Sequence, residues 1–178
     1  MAQTLEDDRI EHLTPPPGVS MPPYPARLDQ VYRWSLVAFV VGLTGTAVAT
    51  AIGGHALMWW QGFSAVAMGV AGWTFLVWLK SWRWVVRGLV TAGVVLWLLW
   101  PLAGWAATLM ASAIVAAKEH HCFRFWSGRW IPWVSLLNGI GLVVHLPPHV
   151  QAVLWVAVAW LWVPLLMGRF QLPLFELG

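Results

Sequence analysis

The chain has little charge. Asp, Glu, Lys and Arg make up 10% of its 178 residues, whereas a soluble domain usually carries about 25%. Hydrophobic residues make up 60% of the chain, and the mean hydropathy is +0.69. So few charged side chains do not cover a globular surface, and the charge-free runs are long enough to span a bilayer. The composition therefore predicts a polytopic membrane protein.

Residues that carry chemistry are also scarce. Cys122 is the single cysteine, which excludes an internal disulfide and a metal site built from several thiolates. The chain has no HExxH pair, no GxSxG elbow and no phosphate-binding glycine loop. Apart from Arg33, through which the chain enters the first predicted span, no Asp, Glu, Lys or Arg falls within the predicted spans, which disfavours a proton-coupled transporter. We therefore expect no enzyme activity and no metal site. The net charge of +3 is spread over separate loops, so we expect no nucleic-acid partner either.

The first 30 residues differ from the rest of the chain. They hold a cluster of acidic residues and six prolines between Pro15 and Pro25. Because proline fixes φ and lacks an N–H donor, this segment is predicted to be a disordered cytoplasmic tail. Residues 31–168 are predicted to form a transmembrane helical domain, and 169–178 a short apolar tail at the membrane interface.

Four predicted spans have clear limits, and these run from about Tyr32 to Ile52, Ala56 to Leu79, Trp130 to Val144 and Val150 to Met167. Between them lies a charge-free run of 30 residues from Gly88 to Ala117. As one straight helix it would be about 45 Å long, against a hydrocarbon core of about 30 Å. It is therefore either one steeply tilted helix or two short helices that turn at Trp100–Gly104, where proline and glycine favour a turn.

The distribution of basic residues separates these alternatives, because short cytoplasmic loops collect Lys and Arg. With two short helices the chain has six spans in three hairpins, and all ten Lys and Arg residues lie on the cytoplasmic side with both termini. A single helix gives five spans and places the basic segment Lys118–Arg129 outside. We therefore predict an all-α bundle of six spans.

One compact polar segment, Lys118–Trp130, interrupts the apolar second half of the chain and is predicted to be a cytoplasmic loop. Its candidate residues for a partner contact or a functional loop are Lys118, Glu119, His121, Cys122 and Arg124. The residues that could take part in metal or redox chemistry are His120, His121 and Cys122, but three consecutive side chains do not converge on one ion without other ligands. The structural alternative is an ion-paired helix end, with Glu119 paired to Arg83, Arg87 or Arg124.

Three histidines, His55, His145 and His149, lie on the outer side of the six-span arrangement. Imidazole ligates haem iron and the magnesium of chlorins, so these residues are candidate cofactor ligands. The alternative is that they are interfacial side chains bonded to loop carbonyls and water. No cofactor is assigned, and chlorin, haem and quinone stay open. Asn138, within a span, is predicted to make an interhelical hydrogen bond.

The pattern Lys118-Glu119-x-x-Cys122-Phe123-Arg124-Phe125 resembles a family of uncharacterised bacterial integral membrane proteins, prominent in photosynthetic bacteria and labelled as a domain of unknown function. The likeness covers roughly Asp29 to Met167. It implies an all-helical, multi-span protein of a bacterial plasma membrane or thylakoid-type membrane. It carries over no catalytic residue.

These observations favour a non-catalytic accessory, structural or assembly subunit. Such a subunit would pack against other membrane protein subunits in the lipid bilayer and present Lys118–Trp130 to a cytoplasmic partner. One alternative is a protein that binds a pigment, haem or quinone through the outer histidines. A second is a small-solute transporter, and an enzyme working through Cys122 is the least favoured.

Overall fold

The computed structural model describes residues 24–53, 55–77 and 80–174. The described residues form six α-helices, which are α1 Ala26–Ile52, α2 Ala56–Trp73, α3 Lys80–Leu99, α4 Pro101–Phe123, α5 Trp126–Val143 and α6 Pro148–Gln171. The all-α prediction is confirmed. Four of these helices, α1, α3, α4 and α6, are long and apolar enough to cross a membrane. The described chain therefore has the architecture of a membrane protein.

The helices α2 and α5 stand outside that group of four. Each has 18 residues. The mean hydropathy of α2 is lowered by Trp59, Trp60 and Gln61. That of α5 is lowered by Ser127 and Arg129, which lie in its first turn. The structure therefore supports a multi-helical membrane protein, while the crossing of α2 and α5 stays a prediction.

The long charge-free run forms two helices. The helix α3 ends at Leu99 and α4 begins at Pro101, so Trp100 alone separates them. Proline suits the first position of a helix, because the N–H that it lacks would have no intrahelical partner there. A Cβ added at Gly104 would collide with the backbone of Trp97. The absence of a side chain at Gly104 thus lets α3 and α4 pack closely after the turn.

The helix limits differ from the predicted spans mainly at their polar ends. Lys80 begins α3, whereas it was predicted to close the second span, and Lys118 lies inside α4, whereas it was predicted to lie in a loop. The helix α1 begins at Ala26, inside the segment predicted to be a disordered tail, and Arg169 belongs to the last turn of α6. Residues 1–23 of the predicted tail, and 175–178 of the C-terminal tail, lie outside the described residues.

The helices pack in chain order into a closed ring. Each contacts the next along the chain, α6 contacts α1, and α2 also contacts α4. The connections are short, so consecutive helices run antiparallel. One end of the bundle, called the basic end here, holds the starts of α1, α3 and α5 and carries every Lys and Arg that the structure describes. The opposite end, called the histidine end, holds His55, His145 and His149.

The core lies between α1, α4 and α6. On α1, buried side chains recur at helical spacing at Tyr32, Leu36, Phe39 and Leu43. They meet a group of buried aromatic residues from α4 and α6, which are Trp105, Trp155 and Trp162. The helix α3 packs against α2 and α4, and these two helices also contact each other. Since they separate α3 from the core, α3 lies at the periphery of the bundle. Its apolar window is 17% buried, against 44% in the other three candidate spans.

Candidate functional site

The polar residues at the basic end form a buried ionic cluster, which comprises Asp29, Tyr32, Arg33, Lys118, Glu119 and Arg169. Its first component is an ion pair within α1. Arg33 follows Asp29 by four residues, so both side chains lie on the same face of the helix. Arg33 Nε donates to Asp29 Oδ2 at 2.9 Å, and its Nη2 lies 2.7 Å from the same oxygen. Arg169 Nη2 donates to the other carboxylate oxygen, Oδ1. All three residues are at most 3% exposed.

The second carboxylate, Glu119, is fully buried in the last turns of α4. Its Oε1 accepts hydrogen bonds from the Tyr32 hydroxyl at 2.8 Å and from Lys118 Nζ at 2.9 Å. Its Oε2 lies 3.9 Å from Arg169 Nε. Arg169 therefore lies between Asp29 of α1 and Glu119 of α4, and one guanidinium of α6 joins three helices.

Aromatic rings enclose the cations. The guanidinium carbon of Arg169 lies 4.8 Å from the centroid of the Phe123 ring. Lys118 Nζ lies 5.1 Å from the centroid of the same ring and 5.6 Å from that of Phe75. The electron-rich face of an aromatic ring attracts a cation, most strongly where water is excluded. Among the described residues, three cations meet two carboxylates in the cluster. The rings thus add to the stabilisation that the carboxylates give to the positive charge.

Arg33 also holds the chain that follows α6. Its Nη1 donates to the carbonyl of Leu172 at 2.9 Å, and its Nη2 donates to the carbonyl of Pro173 at 2.6 Å. Carbonyls at the end of a helix lack intrahelical donors, so a side chain from another element satisfies them. The start of α1 and the end of α6 are thereby fixed together.

Tyr24, just before α1, forms the border of the cluster. It is 5% exposed, and its hydroxyl donates to the carbonyl of Thr74 at 2.9 Å. Burial, together with the nearby Asp29 carboxylate, raises the pKa of Tyr24 well above its usual value of 10.0. The hydroxyl therefore stays protonated and keeps its hydrogen bond at any physiological pH. This bond ties α1 to the connection after α2.

The segment Lys118–Trp130 was predicted to be a loop, and this prediction was wrong for most of its length. Residues 118–123 continue α4, and α5 begins at Trp126. Glu119 was predicted to pair with Arg83, Arg87 or Arg124, but its ion-pair partners are Lys118 and Arg169.

The other predicted residues of this segment lie at the surface or beside it. His121 and Arg124 are exposed, and Arg124 ends α4 in the left-handed conformation with φ 55°. Cys122 is partly buried with a free thiol. Of the five candidate residues in the segment, the cluster brings together only Lys118 and Glu119.

The three outer histidines are exposed at the histidine end, far along the bundle from the ionic cluster. His145 has φ 56° in the connection between α5 and α6. Among the described residues, no group of three or more His, Cys, Asp or Glu side chains is placed to hold a metal ion. Asn138 is fully buried, and its side-chain oxygen accepts a hydrogen bond from Gln151 of α6. That bond is interhelical.

Four residues of the cluster escaped the sequence reasoning: Asp29, Tyr32, Arg33 and Arg169. They lie next to predicted boundaries, where charged side chains are expected to face water. Two signals were available. Asp29 and Arg33 have the spacing of an ion pair on one helix face, and Asp29 and Glu119 are the only acidic residues from 12 to 175. Acidic residues so rare in an apolar chain indicate buried partners for its cations.

Comparisons with protein-family models, with curated proteins and with solved structures find no match to this chain. The resemblance carried by Lys118, Glu119, Cys122 and Arg124 therefore stays a prediction.

Proposed function

We propose that the protein is a non-catalytic integral membrane subunit, a rigid six-span scaffold for the assembly of other membrane proteins. One observation carries this proposal. The ionisable side chains buried at the basic end are paired with each other across α1, α4 and α6, through Arg169. Charge placed at membrane depth usually serves a pathway or a ligand, but here its partners are other charged side chains of the bundle.

The cluster acts as a brace between distant parts of the chain. Asp29 and Arg169 are 140 residues apart, and Tyr32 and Glu119 are 87 residues apart. An ionic cluster with water excluded does not lower the free energy more than well-packed apolar residues would, but its geometry admits few alternatives. This favours a role in which one fixed arrangement of helices is presented to partners. A pump or carrier, in contrast, needs two arrangements of similar free energy.

The outer surface supports the same proposal. At the corner between α4 and α5, large aromatic side chains are exposed beside basic ones, with Trp126 60% exposed and Trp130 51% exposed next to Arg129. Aromatic residues and arginine are the types enriched where protein surfaces meet. We propose that this corner contacts the partner subunit at the cytoplasmic end of the bundle.

Co-purification tests this proposal. The tagged protein is extracted from its native membrane in mild detergent, and proteins that accompany it are compared with those that accompany the variant Trp126→Ala/Trp130→Ala. We expect a defined set of membrane subunits with the wild type and its loss with the variant. The variant Trp82→Ala/Trp84→Ala is the matched control, because these tryptophans are exposed on α3 near the same end.

Two results would replace the proposal. The first is a Soret or chlorin absorption band that disappears in His145→Ala or His149→Ala, which would favour the cofactor alternative. The second is a solute flux into liposomes above that of empty vesicles, which would favour the transporter. A monomer with no accompanying subunit from the native membrane contradicts the assembly role directly.

The six-span arrangement is tested by labelling single cysteines from each side of the membrane in a Cys122→Ser background. If α2 and α5 cross, a cysteine at Arg129 is labelled from the cytoplasm, and cysteines at His55 and His145 are labelled from outside. Labelling of positions 55 and 129 from the same side would contradict the six spans.

A further inference from the structure

A shallow groove runs along the outer face of the bundle between α1 and α2. The α1 side is formed by Gln30, Val31, Trp34, Ser35 and Ala38, and the α2 side by Phe63, Val66, Ala67 and Val70. Its rim is apolar and open to the surroundings, with Trp34 59% exposed and Val66 54% exposed. Small side chains form the floor, because Ser35 and Ala67 are buried there. The groove therefore fits a thin, flexible, apolar occupant.

The floor of the groove offers no polar group to an occupant. The hydroxyl of Ser35 donates to the carbonyl of Val31 one turn earlier in its own helix. A hydroxyl bonded in this way is satisfied inside the helix and does not require an external partner. A hydrocarbon chain can thus lie on the floor without leaving a buried hydrogen-bonding group unpaired.

The groove has a cation at one end. At about 100° per residue, Arg27 falls within about 20° of the centre of the face that Gln30, Val31, Trp34 and Ala38 form on α1. It precedes Gln30 by three residues, or about 4.5 Å along the axis, on the side of the basic end. Arg27 is exposed, and among the described residues it takes part in none of the ion pairs. The arginine on another face of α1, Arg33, is in contrast bound to Asp29 and to the carbonyls of Leu172 and Pro173.

We propose that this groove binds one phospholipid with a net negative headgroup. Its acyl chain would lie between α1 and α2, and its phosphate would contact Arg27, with the Gln30 amide as a second donor. The segment from Gln30 to Ala38 extends about 12 Å along the helix, enough for the upper part of an acyl chain. On the groove face of α1 the apolar side chains begin at Val31, about 6 Å along the axis from Arg27, so a headgroup at Arg27 lies just beyond the apolar part of the groove. Arginine binds phosphate oxygens well because its planar guanidinium presents several N–H donors.

Native mass spectrometry of the full chain tests the proposal, with dioleoylphosphatidylglycerol and dioleoylphosphatidylcholine as probes at equal concentration. We expect the wild type to retain one phosphatidylglycerol in preference to phosphatidylcholine. Arg27→Gln should reduce this preference about fivefold, the usual effect of one basic residue near an anionic lipid surface. Arg129→Gln is the matched control, because Arg129 is also exposed at the basic end, on α5, away from the groove. It should leave the preference unchanged.

A second variant tests the apolar part of the site. Ala38→Phe fills the floor of the groove and should reduce retention of both lipids, with Arg129→Gln again showing wild-type retention. Equal loss of preference in Arg27→Gln and Arg129→Gln would overturn the proposal, because the attraction would then belong to the basic end as a whole. Full lipid retention in Ala38→Phe would overturn it too. A lipid-free dimer that Ala38→Phe dissociates would assign the groove to a second copy of the chain.

Discussion

Replacement of Arg169 by methionine tests whether the ionic cluster is a desolvated brace. The change removes the guanidinium that donates to Asp29 and lies 3.9 Å from Glu119, while methionine keeps an apolar stem of similar length. Both carboxylates retain a cation after the change, because Arg33 stays with Asp29 and Lys118 with Glu119. Among the described residues, two cations then face two carboxylates.

Replacement of Asp29 by asparagine changes the balance in the other direction. Among the described residues, three cations, Arg33, Lys118 and Arg169, would then face one carboxylate, Glu119. Removal of one partner from a buried ion pair costs about 3–5 kcal/mol. We therefore expect about 5 kcal/mol for Asp29→Asn, which leaves two excess positive charges among the described residues. For Arg169→Met we expect about 3 kcal/mol, because this variant loses the charge-assisted hydrogen bond to Asp29 but leaves each carboxylate with a cation.

Thermal unfolding in a mild detergent measures the difference. For a chain of this length, 1 kcal/mol shifts the midpoint by about 2–4 °C, so we expect a decrease of about 6–12 °C for Arg169→Met and a larger decrease for Asp29→Asn. Arg129→Met is the control, because an exposed arginine should change stability by less than about 0.5 kcal/mol. If all three variants unfold alike, the cluster is not desolvated. If Arg169→Met lowers the unfolding midpoint more than Asp29→Asn does, an excess of positive charge is not what destabilises the cluster.

Three further predictions follow from single contacts. Gly104→Ala places a Cβ against the backbone of Trp97 and should lower stability by about 1–3 kcal/mol in thermal unfolding. Gly88→Ala, where a Cβ meets nothing within 4 Å, should leave stability equal or higher, and the reverse order would contradict the close approach of α3 to α4. Tyr24→Phe loses the hydrogen bond to Thr74 and should cost about 1 kcal/mol at pH 8. Because the pKa of Tyr24 is raised on folding, its contribution is complete below about pH 10 and declines above it. Unfolding curves of the wild type and Tyr24→Phe should therefore converge above pH 10, and a constant difference would refute this. Gln151→Leu removes the donor to buried Asn138 and should cost about 1–3 kcal/mol, with the exposed substitution Gln30→Leu as a near-neutral comparison.

The sequence by itself determined the class of the protein and the order of its helices. Long apolar runs with so little charge are not stable in water, whichever way the helices pack, so the composition alone indicates a membrane protein. The turn at Trp100–Gly104 was also readable, because proline lacks an N–H and begins a helix more readily than it continues one. The sequence also shows that Lys and Arg occur in every second connection between the helices. Because successive short connections lie at opposite ends of a bundle, the basic residues collect at one end.

The ends of the helices were harder to predict. Hydropathy places a boundary where charge begins, yet α1, α3, α4 and α6 all continue through charged residues. Lys118 and Glu119 extend α4 because each finds a partner inside the bundle. Local sequence does not reveal such a partner when it belongs to a helix distant in the chain.

Only the tertiary structure decided which charges are buried. Asp29, Glu119 and Arg169 are separated by up to 140 residues in the chain, and they meet because the ring of helices closes α6 against α1. The same closure leaves Arg27 exposed on the opposite face of α1, one turn before the groove. Two arginines six residues apart, Arg27 and Arg33, thus differ in environment because of the direction each faces from α1. Which face of α1 is buried depends on the helices packed against it, and only the tertiary structure shows these.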